Sequence, residues 1–181
     1  GTLTPGDGMQ IFVKSFYDFI DSIRVKYPDL ILENCASGAM REDYGILSRF
    51  HLQSSSDQVV YDRYPSIASG SLACVLPEQL GVWSYPYPIE INDYDKTEKL
   101  QTQEYQNKMI DGEETVFNMV TGFCGTLYLS GHIDYADIKN MDLIKEGVRL
   151  YKKERNFIGN SLPFWPIGMS RIDDEKSFVV Q

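Results

Sequence analysis

Residues 31–43, ILENCASGAMRED, join a short apolar run to a group of polar and small residues. The apolar run predicts a buried strand, and the strand ends in Glu33, Asn34 and Cys35 instead of ordinary turn formers. A carboxylate, an amide and a thiol are groups that bind ligands or take part in chemistry. Among the small residues that follow, Gly38 allows a ligand to approach the backbone closely.

Length and composition limit the classes of protein to which this chain can belong. It has 181 residues, 43% of them hydrophobic, which predicts a folded domain with a core. The net charge of −9 argues against a nucleic-acid partner, and the sequence contains no apolar run long enough for a membrane span. Three separated cysteines and two histidines predict neither a disulfide framework nor a metal site, and a cytoplasmic location is expected.

Hydrophobic periodicity predicts strands that alternate with helices along the chain. The predicted strands cover residues 30–34, 50–56, 67–77 and 125–131, and the predicted helices cover residues 10–27, 96–123 and 135–158. This order predicts an α/β fold with a parallel sheet, either a small open sheet or half of a (β/α)8 TIM barrel. Both architectures place function at the carboxyl ends of the strands.

Polar groups end the second predicted strand as well, at Ser54 to Asp57. Two successive strands therefore deliver polar side chains to one edge of the sheet. Each residue also has a simpler interpretation: Asp57 as a helix N-cap, Cys35 as an inert thiol, and Asn34 as an anchor for its loop. Trp83 lies in an aromatic-rich segment suited to the apolar face of a sugar ring, or to ordinary packing.

The segment ENCASGAMRED resembles the ENCxSGGGRFD signature of glycoside hydrolase family 36, the bacterial-type α-galactosidases. The SSSD of residues 54–57 is similar to the WTSDDTDA segment of that family, and the spacing between the two segments fits without a gap. Residues 64–79 and 147–158 show weaker similarity. The resemblance covers about residues 10–165 and is most specific in the ENCxSG motif.

The resemblance implies a fold, a reaction and a set of site residues. The four strands would be the fifth to eighth strands of a (β/α)8 barrel. The reaction would be retaining hydrolysis of terminal α-linked galactose from oligosaccharides, without a cofactor. Asp57 would be the general acid/base. The substrate-binding residues would be Cys35 and Gly38 by motif, with Asn34, Ser37 and Trp83 beside them.

Several departures from the family pattern lead to further expectations. Gln58 stands after Asp57, where the family has a second aspartate nearby, so a different α-linked sugar such as N-acetylgalactosamine stays open. The nucleophilic aspartate of the family, in a KWDxN-like motif, would precede residue 1. We therefore expect residues 1–159 to form the carboxyl-terminal half of the barrel and residues 160–181 a linker and the start of a β domain.

Half a barrel on its own carries two consequences. With one of its two carboxylates elsewhere, the chain alone is expected to be inactive. Its exposed sheet edges predict self-association or a homo-oligomer. A non-catalytic sugar-binding or purely structural barrel domain is the alternative, and the changes after Asp57 favour it. The residue at the upstream nucleophile position would discriminate between the two.

Overall fold

In a computed structural model of the chain, residues 4–86, 112–131 and 133–171 are described, and they contain five α-helices and four β-strands. The helices are α1 (Pro5–Lys26), α2 (Tyr44–Leu47), α3 (Tyr64–Ser71), α4 (Glu113–Thr121) and α5 (Ile138–Ile158). The strands are β1 (Glu33–Asn34), β2 (Leu52–Ser54), β3 (Leu80–Ser84) and β4 (Thr126–Leu129). Of the helices in these ranges, none has the length and apolar character that crossing a bilayer requires.

The four strands form one parallel sheet in the order β1-β2-β3-β4. Each strand is followed in the sequence by helical segments, so neighbouring strands are joined by crossovers, as parallel pairing requires. The sheet confirms the predicted α/β class and matches part of a TIM-like barrel. Because all strands run the same way, their carboxyl ends meet along one edge, and the side chains of interest lie there.

A core between the sheet and α3 corrects one prediction, the strand at residues 67–77. That segment contains the greater part of α3 and a turn, and the strand lies further on, at Leu80–Ser84. The buried residues Tyr64, Ala68, Leu72 and Val75 recur at intervals of three and four, which is the helical period. The small side chains had suggested a strand, but burial follows the helical period and Pro65 in the first turn suits a helix start.

The other predicted elements fall close to their observed bounds. Helices α1 and α5 confirm the predicted helices over residues 10–27 and 135–158, although α1 begins earlier than predicted, at Pro5 after the N-cap Thr4. Helix α2 lies in a stretch expected to be a loop or weak helix. The predicted helix at 96–123 is described only from residue 112 onward, where α4 agrees with it. Helix α5 ends at Ile158, but the proposed division into domains stays a prediction. Trp165 packs back against the core cluster and donates to the Ser69 carbonyl.

Helix α5 begins with a side-chain cap that yields a test of stability. The Asp137 carboxylate accepts hydrogen bonds from the backbone N–H and the side-chain amide of Asn140, at 2.8 and 2.9 Å. The bond from the Asn140 backbone lowers the pKa of Asp137. We expect Asp137→Ala to reduce the free energy of unfolding by about 1 kcal/mol at neutral pH.

The pH dependence of this effect has a definite sign. Because the folded-state pKa of Asp137 is lowered, its contribution is present above the ordinary aspartate pKa and is lost as the pH falls through the lowered value. Asp137→Asn keeps an acceptor and should approach the wild-type stability at acid pH. Denaturant unfolding between pH 3 and pH 7 measures this, with Asp134→Ala, in an exposed position nearby, as the control. Equal losses in the Asp134 and Asp137 variants would contradict the cap.

Candidate active site

Alternation along the strands divides the side chains of the sheet between two faces. One face packs against helices: Asn34, Gln53 and Leu80 are adjacent across β1, β2 and β3, and all three are buried. The opposite face, called here the inner face, carries the residues that alternate with these. Its members in the described strands and their ends include Glu33, Cys35, Leu52, Ser54, Gly81, Trp83, Thr126 and Tyr128.

Asn34 joins the loop that follows β1, residues 35–43 and called here the ENC loop, to the neighbouring strand. Its side-chain nitrogen donates to Gln53 Oε1 at 2.7 Å and to the Arg41 carbonyl at 2.6 Å, and Gln53 in turn donates to the Ser54 carbonyl at 2.9 Å. Asn34 is only 3% exposed. This arrangement therefore does not favour the predicted contact between Asn34 and a ligand, because the buried amide supports the loop from the helix-covered face.

The loop after Cys35 has an unusual backbone. Ser37, Gly38 and Ala39 all have positive φ, at 49°, 75° and 66°. For serine and alanine this left-handed region costs on the order of 1 kcal/mol each, and such strain clusters at functional sites. The loop leaves Cys35 and Ser37 exposed at the carboxyl end of β1.

Gly38 brings this loop into direct contact with the end of β2. A Cβ atom at Gly38 would lie 3.0 Å from the Asp57 backbone nitrogen and 3.4 Å from the Ser56 Cα. A side chain at this position would thus press on the backbone that carries Asp57. The sequence predicted that a small residue here lets a ligand approach the backbone. In the structure, it lets the end of the neighbouring strand approach.

Asp57 lies beyond the carboxyl end of β2 with its side chain exposed. The alternative interpretation, that Asp57 caps the following helix, does not hold for α3, because Arg63 occupies that N-cap position. Tyr85, at the end of β3, has a pKa that the charge of Asp57 affects. Its pKa is raised mainly by burial and then by the Asp57 carboxylate. The Asp57 carboxylate therefore acts electrostatically on Tyr85, and the Asp57 backbone lies against Gly38.

Trp83 is held by polar and aromatic contacts on the inner face. Its indole N–H donates to Ser54 Oγ at 3.0 Å. Its ring stacks on Tyr85, with centroids 6.1 Å apart, and meets Tyr128 edge-on at 5.1 Å. With its N–H occupied, Trp83 has no hydrogen bond to offer a ligand and can contribute only ring surface, which suits the apolar face of a sugar.

Tyr128 extends from β4 across β3 toward β1. Its ring lies directly over Gly81, where a Cβ atom would come within 2.6 Å of the ring. Its pKa is raised first by burial and then by the charge of the Glu33 carboxylate and a side-chain hydrogen bond with it. Among the described residues the buried hydroxyl makes no hydrogen bond of regular geometry, so its contact with Glu33 is poorly aligned. The inner face therefore holds a buried hydroxyl whose polar contact is weak.

This weakly bonded hydroxyl leads to a prediction about stability. Removing it eliminates its desolvation cost but also its contact with Glu33, so the two effects oppose each other and Tyr128→Phe should change the free energy of unfolding by less than about 1 kcal/mol. Thermal unfolding of the two forms measures this. Tyr151→Phe is the matched control, because the Tyr151 hydroxyl has two backbone partners and its loss should destabilise. Equal destabilisation of both variants would mean that the contact between Tyr128 and Glu33 is a full hydrogen bond.

Sequence reasoning missed Tyr128, and it singled out Glu33 at a strand end without assigning it to the site. Glu33 could have been assigned from its position, because it begins β1 and lies on the same face as Cys35. Tyr128 lies within β4, and its place beside Trp83 depends on strand pairing. His132, which follows the predicted strand at residues 125–131, lies outside the described residues. In the part of the chain that the structure describes, no group of acidic, histidine or cysteine side chains is arranged to hold a metal ion.

A parallel sheet with helices on one face and polar and aromatic groups on the other, gathered near the carboxyl ends of its strands, is the arrangement found in part of a (β/α) barrel. Comparison with solved structures makes this specific. The galactosidase domain of an α-galactosidase-sucrose kinase, AgaSK, matches with a TM-score of 0.63 and 20% identity, over 83% of this chain and 18% of that chain. The family 36 α-galactosidase AgaA from Geobacillus stearothermophilus matches with a TM-score of 0.63 and 15% identity, with the same coverage.

A doubly substituted form of AgaA in complex with raffinose gives a TM-score of 0.62 at 16% identity. These neighbours confirm the resemblance to family 36 at the level of the fold. The chain spans about 18% of the length of each solved neighbour. Comparison with protein-family models gives no match, and comparison with curated proteins gives none either.

Proposed function

We propose that this chain is the carboxyl-terminal half of the catalytic barrel of a retaining glycoside hydrolase that removes terminal α-linked galactose, with Asp57 as the general acid/base. The observation that carries the proposal is the contact between Gly38 and the Asp57 backbone. It brings the two motif segments together at the carboxyl edge of a sheet whose solved neighbours are α-galactosidases.

In this proposal the roles of the site residues follow from their chemistry. Asp57 protonates the glycosidic oxygen and then deprotonates the water that releases the sugar. Cys35 and Ser37 offer polar atoms to the sugar hydroxyls from the exposed rim, and Trp83 offers ring surface. The nucleophilic carboxylate, about 5 Å from Asp57 in a retaining enzyme, is contributed by the remainder of the protein.

The test is hydrolysis of aryl α-galactosides by the full-length protein, followed by proton NMR. A retaining enzyme releases the α anomer of the sugar first, and the β anomer accumulates only by mutarotation. Aryl α-N-acetylgalactosaminides, assayed in parallel, address the change from the family pattern after Asp57. Absence of turnover on both substrates would reject the hydrolase proposal. Saturable sugar binding without turnover would support the non-catalytic alternative.

A further inference from the structure

The buried hydroxyl of Tyr64 occupies a position between β2 and β3. Tyr64 belongs to α3, is 1% exposed, and projects its hydroxyl into the sheet from the helix-covered face. The hydroxyl lies 2.6 Å from Ser55 Oγ and accepts the backbone N–H of Trp83 at 2.6 Å. It thereby joins the strand end that leads to Asp57 with the strand that carries the aromatic residues.

The pattern of backbone bonds shows what this hydroxyl replaces. Strand β2 pairs with β3 through bonds from Gln53 N to the Gln79 carbonyl, at 2.8 Å, and from Ser55 N to the Gly81 carbonyl, at 3.2 Å. In a regular parallel ladder the next bond would run from Trp83 N to the Ser55 carbonyl. Trp83 N donates to the Tyr64 hydroxyl instead. The ladder therefore stops at Ser55, two residues before Asp57.

We infer that Tyr64 is a positioning residue: its hydroxyl parts β2 from β3 at Ser55 and so sets the place of Asp57. The inference rests on the proposed function and assigns a role to a residue that does not touch the substrate. With the hydroxyl present, the chain from Ser56 leaves β3 and contacts Gly38. Without the hydroxyl, Trp83 N is free to bond the Ser55 carbonyl, and the closed ladder draws Asp57 toward β3.

Displacement of a general acid has a kinetic signature that loss of stability does not have. A leaving group such as dinitrophenolate departs without protonation, whereas a sugar or methanol leaving group needs the acid in place. In full-length protein, Tyr64→Phe should lower kcat/KM for an unactivated α-galactoside about tenfold or more relative to a dinitrophenyl α-galactoside, since a misplacement of about 1 Å costs up to about a hundredfold.

Tyr151→Phe is the matched control. Its hydroxyl also bonds strand backbone, accepting from Leu127 N at 3.0 Å and donating to the Gly125 carbonyl at 3.1 Å, but it does so at the amino end of β4. It should lower the melting temperature and leave the ratio of the two kcat/KM values unchanged. Ser55→Ala removes one partner of Tyr64 and retains the bond from Trp83, so a smaller shift of about twofold to fivefold is expected.

The outcomes separate this inference from the proposed function. A wild-type protein that is silent on every α-glycoside overturns the proposed function and the inference together. If the wild type is active but the ratio of the two kcat/KM values stays unchanged in Tyr64→Phe, the inference alone is overturned. If Tyr64→Phe fails to fold, an unchanged ratio in Ser55→Ala overturns it. A ratio that shifts equally in Tyr151→Phe also overturns it, because the effect would then follow general loosening of the sheet.

Discussion

Asp57→Ala in the full-length protein should lower kcat/KM on unactivated α-galactosides by about 10²–10⁴-fold, the usual contribution of a general acid/base. For an aryl α-galactoside with a good leaving group, formation of the glycosyl-enzyme should survive and its hydrolysis should become rate-limiting. Azide needs no deprotonation, so it should restore turnover and divert the product to a galactosyl azide. Steady-state rates with and without azide, with product analysis, measure this.

Asp62→Ala is the matched control for this experiment. Asp62 lies in the same polar segment between β2 and α3 and is also exposed, but it follows the segment that contacts Gly38. It should retain wild-type rates and show no response to azide. If Asp57→Ala retains full activity, or if it loses activity and azide produces no glycosyl azide, Asp57 is not the acid/base. The sheet would then still be a barrel fragment, but the site would have to be sought elsewhere on its edge.

Gly38→Ala should impair both stability and catalysis. At φ 75° an alanine costs on the order of 1 kcal/mol, and its Cβ would lie 3.0 Å from the Asp57 backbone nitrogen. Since that neighbour is backbone, it can yield only by moving the strand end. We expect a total loss of about 1–3 kcal/mol in the free energy of unfolding. A fall in kcat should accompany it because Asp57 moves.

Gly70→Ala gives the opposite expectation for the same chemical change. Gly70 lies within α3, and a Cβ there would meet nothing within 4 Å. The variant should gain about 0.5–1 kcal/mol from reduced backbone freedom and leave kcat unaltered. Thermal unfolding and steady-state kinetics of the two variants test the pair. If the two glycine variants changed stability and kcat equally, the contact between Gly38 and Asp57 would contribute nothing measurable to either quantity.

The sequence predicted most of the elements that have strong periodicity or a specific motif. Helices α1 and α5 carry regular apolar spacing, and β1 contains the first two residues of the ENC motif, so local pattern was sufficient for them. Strand β3 was placed too early because α3 is built of small residues. The helical spacing of its buried members becomes evident only when burial is known.

The site was predicted less completely than the fold, since contacts across strands depend on pairing. Sequence alone placed Cys35 and Asp57 at neighbouring strand ends. It did not indicate that Tyr128 reaches over Gly81 toward Glu33, because the residues belong to three different strands. It also gave no sign that the Tyr64 hydroxyl would replace a backbone acceptor, since a buried tyrosine in a helix is usually a packing residue.

The buried amide pair of Asn34 and Gln53 has a consequence for how the chain avoids wrong pairings. Strands β1 and β2 have only two and three residues, so backbone bonds alone discriminate weakly between one alignment and its neighbours. Sliding one strand by a single residue would turn its own amide to the opposite face and leave the other amide buried without that partner, at a cost of about 1–3 kcal/mol. The amide pair therefore makes misaligned pairing of β1 with β2 less favourable than the correct pairing while the chain folds.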